Sequence, residues 1–294
     1  MENYLIKATG FDGMVRAYTS TTTGVVEEAR KRHDSWATAT AALGRTMTIT
    51  AMMGAMLKGD DTITAKIEGG GPLGGIVVDA NATGDVRGYV QQPQTDFPTN
   101  SFGKLDVARA VGTEGTLSIV KDVGLKDYFT GQVQLVSGEI SEDFTYYFAH
   151  SEQVPSAVGA GVLVNPDHSV LAAGGFIVQM MPGATDEVIT QVEENITNMP
   201  AISESIQAGK TPAELLDLLF GEAPYSILEQ VPIQFTCTCS KERFERAIVG
   251  LGVDEIKAMI DEDKGAEAQC HFCNETYHFT EEELRHCLEE TKNK

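Results

Sequence analysis

Short segments that alternate apolar and polar residues are spread over the first 180 residues and predict β-strands. Residues 4–8 and 14–21 flank the sequence Gly-Phe-Asp-Gly at positions 10–13, which is typical of a hairpin turn. Further strands are predicted at residues 62–67, 76–79, 86–90, 116–121, 132–136, 159–164 and 170–179.

Helical periodicity interrupts these strands. It covers residues 25–31 and 139–150, and a longer stretch repeats apolar residues from Trp36 to Leu57. The longer stretch is rich in alanine, glycine and threonine, whose small side chains would let a helix pack closely against a sheet. Strands and helices occur in blocks rather than in strict alternation, so we predict an α+β core domain with a mostly antiparallel sheet over residues 1–181.

The pattern becomes helical after Pro182, and residues 182–230 are predicted to form a helical linker. Thr211 as N-cap, with proline next and Glu214 three residues after the cap, predicts a helix start. The apolar run at residues 215–220 gives this helix a face that should dock on another surface.

A separate C-terminal domain is predicted over residues 231–294. Ser240 is a candidate cap for a first helix, and Thr280 with Glu283 forms a capping box for a last one. A domain of about 60 residues is marginal without a disulfide or metal to stabilise it.

The charge of the chain argues against nucleic acid as a partner. The net charge is -21, with 14 basic and 29 acidic side chains in residues 1–230 and 8 and 14 in residues 231–294. Binding to phosphates depends on clustered lysine and arginine, so a DNA- or RNA-binding role is disfavoured in both parts.

The N-terminal sequence argues against export. Residues 1–7 have neither the basic nor the apolar region of a secretory signal, and the apolar stretch at 43–57 is too short to span a membrane. We therefore expect a cytoplasmic protein with no membrane partner. Reducing conditions there would keep cysteines available as metal ligands.

All five cysteines lie in the last 58 residues, and four of them form two close pairs. The first pair is Cys237-Thr-Cys239 and the second is Cys270-His-Phe-Cys273. Two short-spaced pairs at this separation are typical of a four-thiolate zinc site. The fifth, Cys287, shares a helical face with Leu284 and Leu288 and is expected to pack in a core.

Other roles for these cysteines are open at this point. All four could be buried reduced thiols, or Cys270 and Cys273 could form the active site of a thiol–disulfide oxidoreductase. Redox enzymes place such a pair at a helix start, whereas here it lies between two strand-like pieces. A zinc-ribbon adaptor for nucleic acid or a polymerase is a third possibility, against which the charge argues. His271, His278 and His286 are not needed as ligands beside four thiolates.

The glycine-rich segment at 69–75 formally contains Gly-x-Gly-x-x-Gly but does not predict a nucleotide site. That motif must open a helix, whereas Pro72 lies inside it here and a strand follows. A hairpin turn or a tight backbone crossing is expected instead. Neither a Walker-type loop nor a nucleophile elbow nor an HExxH motif occurs in the chain, and no catalytic residues are predicted.

The whole chain resembles the 33 kDa chaperonin family of redox-regulated heat-shock chaperones. The two cysteine pairs near the C-terminus are the signature of that family. Core motifs add to the resemblance: EGGGPLGGI at 68–76, GDVRGY at 84–89, GEISEDFTY at 138–146 with SEQ at 151–153, and AGGFIVQ at 173–179.

The resemblance implies a holdase that works without ATP hydrolysis and is not an enzyme. It implies that the four paired cysteines hold one Zn²⁺ per chain in a reduced, inactive protein. It also implies that oxidants, helped by heat, form Cys237–Cys239 and Cys270–Cys273 disulfides and release the metal. The C-terminal domain and linker would then unfold, expose apolar surface, capture unfolding proteins before they aggregate, and favour a homodimer.

Overall fold

The computed structural model describes residues 2–101 and 103–292. The chain forms two compact units, Met1–Thr236 and Cys237–Lys294. The boundary falls directly before the first cysteine pair, whereas the sequence predicted a domain start at residue 231.

The first unit contains the strands and helices of a mixed α+β fold. Its strands are β1 (Tyr4–Gly10), β2 (Val15–Thr21), β3 (Thr62–Glu68), β4 (Gly75–Asn81), β5 (Asp85–Val90), β6 (Thr116–Asp122), β7 (Phe129–Gln134), β8 (Ser156–Val164), β9 (Val170–Met180), β10 (Tyr225–Pro232) and β11 (Gln234–Phe235). Its helices are α1 (Thr23–His33), α2 (Ala37–Gly54), α3 (Val107–Val111), α4 (Ser141–Tyr147), α5 (Asp186–Asn198), α6 (Ile202–Gln207) and α7 (Pro212–Phe220), with a 3-10 turn at Phe11–Gly13 and a π-helical turn at Phe148–Glu152.

The second unit is smaller and carries the cysteines. Its elements are α8 (Lys241–Leu251), α9 (Val253–Ala258), a π-helical turn (Met259–Asp263), β12 (Gly265–Gln269), β13 (Thr276–Thr280) and α10 (Glu281–Lys292).

The strands of the first unit form two sheets, with the orders β10-β1-β2-β9-β8 and β11-β5-β4-β3-β6-β7. Neighbouring strands run antiparallel, except that β11 pairs with β5 in parallel. The predicted α+β class with mostly antiparallel sheets is therefore confirmed. Sequence periodicity missed α3, α6, β10 and β11, and β7 begins at Phe129 rather than at residue 132.

Helix α2 lies between the two sheets and is buried along nearly its whole length. It packs on β3, β4 and β5 of one sheet and on β8 and β9 of the other. The hydroxyls of Thr46, Thr48 and Thr50 donate to carbonyls one turn earlier, at 2.9, 2.7 and 2.7 Å, so these buried groups are paired. Trp36, which the periodicity placed on this helix, precedes it and is 44% exposed.

The glycine-rich segment joins β3 to β4 and crosses the end of α3. The Gly71 N–H donates to the Val111 carbonyl at 2.9 Å, and a Cβ on Gly71 would lie 2.4 Å from the Ala110 carbonyl oxygen. A side chain would separate the two backbones, which is why glycine occupies this position. The predicted tight backbone crossing is confirmed.

Asp143 explains much of the motif at residues 138–146. Its side chain is fully buried at the start of α4. Its carboxylate accepts hydrogen bonds from the backbone N–H groups of Val136, Ser137 and Ile140 at 2.8, 3.0 and 3.0 Å. One aspartate therefore satisfies several donors of the turn that leads into the helix.

Two helices of the predicted linker, α6 and α7, pack on the first sheet, and α5 packs on α7. Thr211 and Glu214 form the predicted capping box of α7, in which the Thr211 N–H donates to Glu214 at 2.8 Å and the Glu214 N–H to the Thr211 hydroxyl at 3.3 Å. The apolar face of α7 covers β1 and β2 and is almost completely buried. Its core residues are Leu215, Leu216, Leu219 and Phe220.

The end of the predicted helical linker is a strand, and the helical prediction is wrong there. Residues 225–230 belong to β10, which pairs antiparallel with β1 at the edge of the sheet. Val231 is the one buried residue of this strand, so the alternation that reveals a strand in sequence is missing. The helices within residues 2–101 and 103–292 are all too short or too polar to span a bilayer.

Candidate metal centre

The second unit has a small apolar core of its own. Ser240 caps α8 by accepting a hydrogen bond from the Arg243 N–H at 3.3 Å, as the sequence predicts. Thr280 and Glu283 form the predicted capping box of α10, with contacts of 2.8 and 3.3 Å. The buried core residues are Ile248, Val249, Ile256, Ile260, Phe279, Leu284 and Cys287.

The second cysteine pair occupies the turn between β12 and β13. The Cys270 carbonyl accepts hydrogen bonds from the N–H groups of Cys273 and Asn274 at 3.3 and 2.8 Å, and the Cys270 N–H donates to the Glu275 carbonyl at 2.9 Å. Asn274 has a φ of 58°, a left-handed conformation that asparagine tolerates in turns. The pairing of β12 with β13 therefore fixes the turn at Cys270–Cys273, which we call the second hook. The segment Cys237–Cys239 is the first hook.

The first cysteine pair lies in the extended segment before α8. Arg243 from the first turn of that helix reaches back to Thr238, the residue between the two cysteines. Its guanidinium donates to the Thr238 hydroxyl at 2.7 Å and to the Thr238 carbonyl at 3.1 Å. This contact holds the first hook in one conformation.

The two hooks bring all four sulfur atoms together. The Sγ atoms of the four paired cysteines lie within 4.8 Å of one another. The Cys237–Cys270 distance is 3.7 Å and the Cys239–Cys273 distance is 3.4 Å. Four sulfurs bound tetrahedrally at the usual Zn–S distance are about 3.8 Å apart. The spacing and the all-sulfur donor set therefore fit a zinc ion, with Cys270 and Cys273 buried and the other two half-buried.

Burial makes the sulfurs of the second pair poor thiolates on their own. It raises the pKa values of the Cys270 and Cys273 thiols, because a thiolate loses solvation when it is buried. A bound cation compensates for that loss and favours the thiolate form. The second pair lies in a β-turn rather than at a helix N-terminus, so no helix dipole activates it as in a redox enzyme.

Tyr277 contacts the cluster and was missed by sequence reasoning. Its hydroxyl lies 3.2 Å from the Cys239 Sγ, and its ring packs against Phe244 with centroids 5.1 Å apart. The hydroxyl is the only hydrogen-bond donor of that side chain, so it donates to sulfur when Cys239 is a thiolate. The only sequence signal was an aromatic residue on the strand after the second pair.

The remaining cysteine and the three histidines are not members of the four-sulfur group. Cys287 is buried in the core of the second unit, as the packing interpretation predicts. Burial and the nearby carboxylates of Glu245 and Glu290 raise the pKa of its thiol. His271, His278 and His286 are exposed on the surface.

Known proteins resemble this chain over nearly its whole length. A family model described as "Hsp33 protein" matches residues 3–280. The 33 kDa chaperonin of Oceanobacillus iheyensis is 67% identical over 284 residues, covering 97% of this chain and 98% of the relative. The 33 kDa chaperonin of Bacillus subtilis is 61% identical over 289 residues, covering 98% and 99%.

A solved structure matches over the whole length. The crystal structure of the 33 kDa chaperonin (HSP33) from Thermotoga maritima superposes with a TM-score of 0.94 at 39% identity and covers 100% of both chains. Two compact units, four convergent thiols and these matches lead to one conclusion: the chain belongs to the Hsp33 family of chaperones.

Proposed function

We propose that this chaperone is an ATP-independent holdase that is switched by oxidation. The observation that carries the proposal is the cluster of four convergent thiols in a small, separate unit. In the reduced protein, Cys237, Cys239, Cys270 and Cys273 would hold one Zn²⁺ and the chaperone would be inactive. In the oxidised protein it would bind unfolding proteins and protect them from irreversible aggregation under oxidative and heat stress.

The energetics of the second unit support a metal-dependent fold. Its core consists of a few buried side chains, and small domains are marginal without a metal or disulfide. A structural zinc ion contributes about 10–16 kcal/mol of apparent binding free energy. Loss of the thiolate ligands removes that contribution, so the unit should unfold.

We propose that oxidation joins Cys237 to Cys239 and Cys270 to Cys273. For each disulfide, two zinc-holding thiolates give up two electrons and form an S–S bond, while one molecule of hydrogen peroxide takes up those electrons and two protons from solvent to become two molecules of water. Partners within a hook stay close in an opened chain, whereas bonds between hooks would tie the unit together. The sulfurs of different hooks are also near one another, so mass spectrometry of a non-reduced digest is needed to distinguish the pairings.

The consequences extend to the linker and to solubility. Unfolding of residues after Thr236 would weaken the attachment of β10 and of the apolar face of α7. The net charge of -21 would keep a form with exposed apolar surface in solution. We further propose that the activated protein forms a homodimer, that it is located in the cytoplasm, and that neither nucleic acid nor a membrane is its partner.

The direct test is an aggregation assay with a thermally unfolding enzyme as client. Peroxide-treated, zinc-free protein should suppress light scattering at near-stoichiometric amounts without ATP, and the reduced, zinc-loaded protein should not. Equal suppression by both forms would reject the switch. Catalytic turnover of a disulfide substrate, lost in Cys270→Ser, would favour an oxidoreductase instead.

The Tyr277 hydroxyl should strengthen zinc binding. We expect Tyr277→Phe to lower zinc affinity roughly tenfold, because partners that hydrogen-bond to metal ligands contribute about 10- to 100-fold to affinity. Competition with a chromophoric chelator measures this. Tyr225→Phe is the matched control, since its hydroxyl bonds to Asp217 in the first unit, at 2.7 Å. Equal affinities of both variants and the parent protein would contradict the prediction.

A further inference from the structure

One carboxylate holds the segment that directly precedes the first cysteine pair. Asp85, in the motif at 84–89, accepts hydrogen bonds from the Gln234 amide at 2.7 Å and the Thr236 hydroxyl at 2.8 Å. Backbone bonds support it: the N–H groups of these two residues donate to the carbonyls of Gly84 and Val86, both at 3.1 Å. Thr236 is the residue before Cys237, so this contact is the last one the chain makes with the first unit before the hook.

The turn that carries Asp85 is shaped for this contact. Gly84 has a φ of +91°, and a Cβ there would lie 1.9 Å from the Pro232 carbonyl oxygen. Asn81 donates to the second oxygen of Asp85 at 3.0 Å, which fixes the orientation of the carboxylate. Burial alone would raise the pKa of Asp85, but the hydrogen bonds from Gln234, Thr236, Asn81 and Thr83 outweigh it and lower the pKa.

Strand β10 is held in place mainly by contacts at its two ends. Along most of its length its side chains are exposed, with Ile227 at 53% and Leu228 at 58%, so few apolar contacts hold it to the sheet. At its start, Tyr225 stacks on Phe220 of α7 with ring centroids 5.0 Å apart. At its end, Val231 and Ile233 enter the main core next to the Asp85 contact.

We infer that the hydrogen bonds of Asp85 to Gln234 and Thr236 act as a latch. The latch controls how readily unfolding of the cysteine-bearing unit spreads into residues 225–236 of the first unit. With the latch closed, residues 225–236 stay attached and Tyr225 stays stacked on Phe220 of α7. With the latch open, β10 leaves the edge of β1 and the ring of Phe220 loses its stacking partner. The inference rests on the proposed function, because it concerns the regulation of that switch.

The test uses the full-length, zinc-loaded protein with Asp85→Ala, and Thr236→Val as a second variant that leaves the Asp85 turn intact. Hydrogen exchange of amides in residues 225–236 should be about tenfold faster in both variants, because charge-assisted hydrogen bonds are lost. Zinc content and exchange in residues 241–292 should match the parent protein. The peroxide dose that gives half-maximal suppression of aggregation should fall severalfold.

Asp79→Ala is the matched control. Asp79 is on β4 of the same sheet, and its carboxylate accepts hydrogen bonds from Thr64 at 2.7 Å and Arg87 at 2.9 Å, both of which lie outside residues 225–236. The Asp79→Ala variant should leave hydrogen exchange in residues 225–236 unchanged, and also the peroxide dose that gives half-maximal suppression of aggregation. Suppose that the parent protein is activated by peroxide, but that both latch variants match it in hydrogen exchange of residues 225–236 and in the peroxide dose for half-maximal activity. That result would overturn the latch and leave the proposed function intact. If the chaperone activity of the parent protein did not change with peroxide, the proposed function would be overturned, and the regulatory role of the latch with it.

Discussion

Replacing Cys273 with serine is expected to unfold the second unit while the first unit stays folded. Cys273 is one of the two buried sulfurs of the cluster, and serine does not supply a thiolate. Loss of one ligand should forfeit most of the ~10–16 kcal/mol that structural zinc contributes. Hydrogen exchange should show rapid labelling of residues 241–292 and slow labelling of α2. Metal analysis should find less than one zinc ion per chain.

Cys287→Ala is the matched control for this experiment. It also removes a buried thiol from the second unit, but one outside the cluster. A small cavity in a core costs on the order of 1 kcal/mol, so zinc content and exchange should remain close to those of the parent protein. A folded, zinc-loaded Cys273→Ser protein, or equal unfolding of both variants, would contradict a structural role for the four-thiol cluster.

Truncating Leu216 is expected to give a reduced protein with partial chaperone activity. Leu216 is fully buried on the face of α7 that covers the first sheet. A buried Leu→Ala change costs about 2–5 kcal/mol, and here the cost falls on the packing of α7. Part of the apolar face should therefore open without oxidation. Urea denaturation measures the stability change, and aggregation assays on the reduced, zinc-loaded variant measure the activity.

Leu228→Ala is the control for Leu216→Ala. It makes the same chemical change in β10, where the side chain is 58% exposed, so its effect on stability should stay within about 0.5 kcal/mol. Zinc content should be unchanged in both variants. If Leu216→Ala were destabilised as expected but gained no activity when reduced, the apolar face of α7 would not be part of the surface that captures clients.

Local patterns in the sequence were sufficient to predict most of the fold and the set of paired cysteines. The capping box at Thr211 and Glu214 and the apolar run after it depend on residues a few positions apart, and they predicted α7 and its burial. The spacing of the four cysteines likewise predicted one metal site. Both signals are local, so they can be read without the tertiary structure.

The features that were missed depend on tertiary contacts or lack a periodic pattern. Strand β10 has one buried residue, so it shows no alternation. The Tyr277 contact joins a residue of β13 to Cys239 of the first pair, 38 positions earlier, and only the tertiary fold brings the two together. The Asp85 contacts with Gln234 and Thr236 join positions about 150 residues apart, for which a single sequence carries no signal.

The most direct test of the central claim is to measure zinc content and free thiols on the same sample before and after mild peroxide. The reduced protein should hold one zinc ion per chain and, once denatured, yield all five cysteines as free thiols. After oxidation, zinc should be released and only Cys287 should remain free, in step with the gain of chaperone activity. Chaperone activity that appears while zinc stays bound and all thiols stay free would contradict the account.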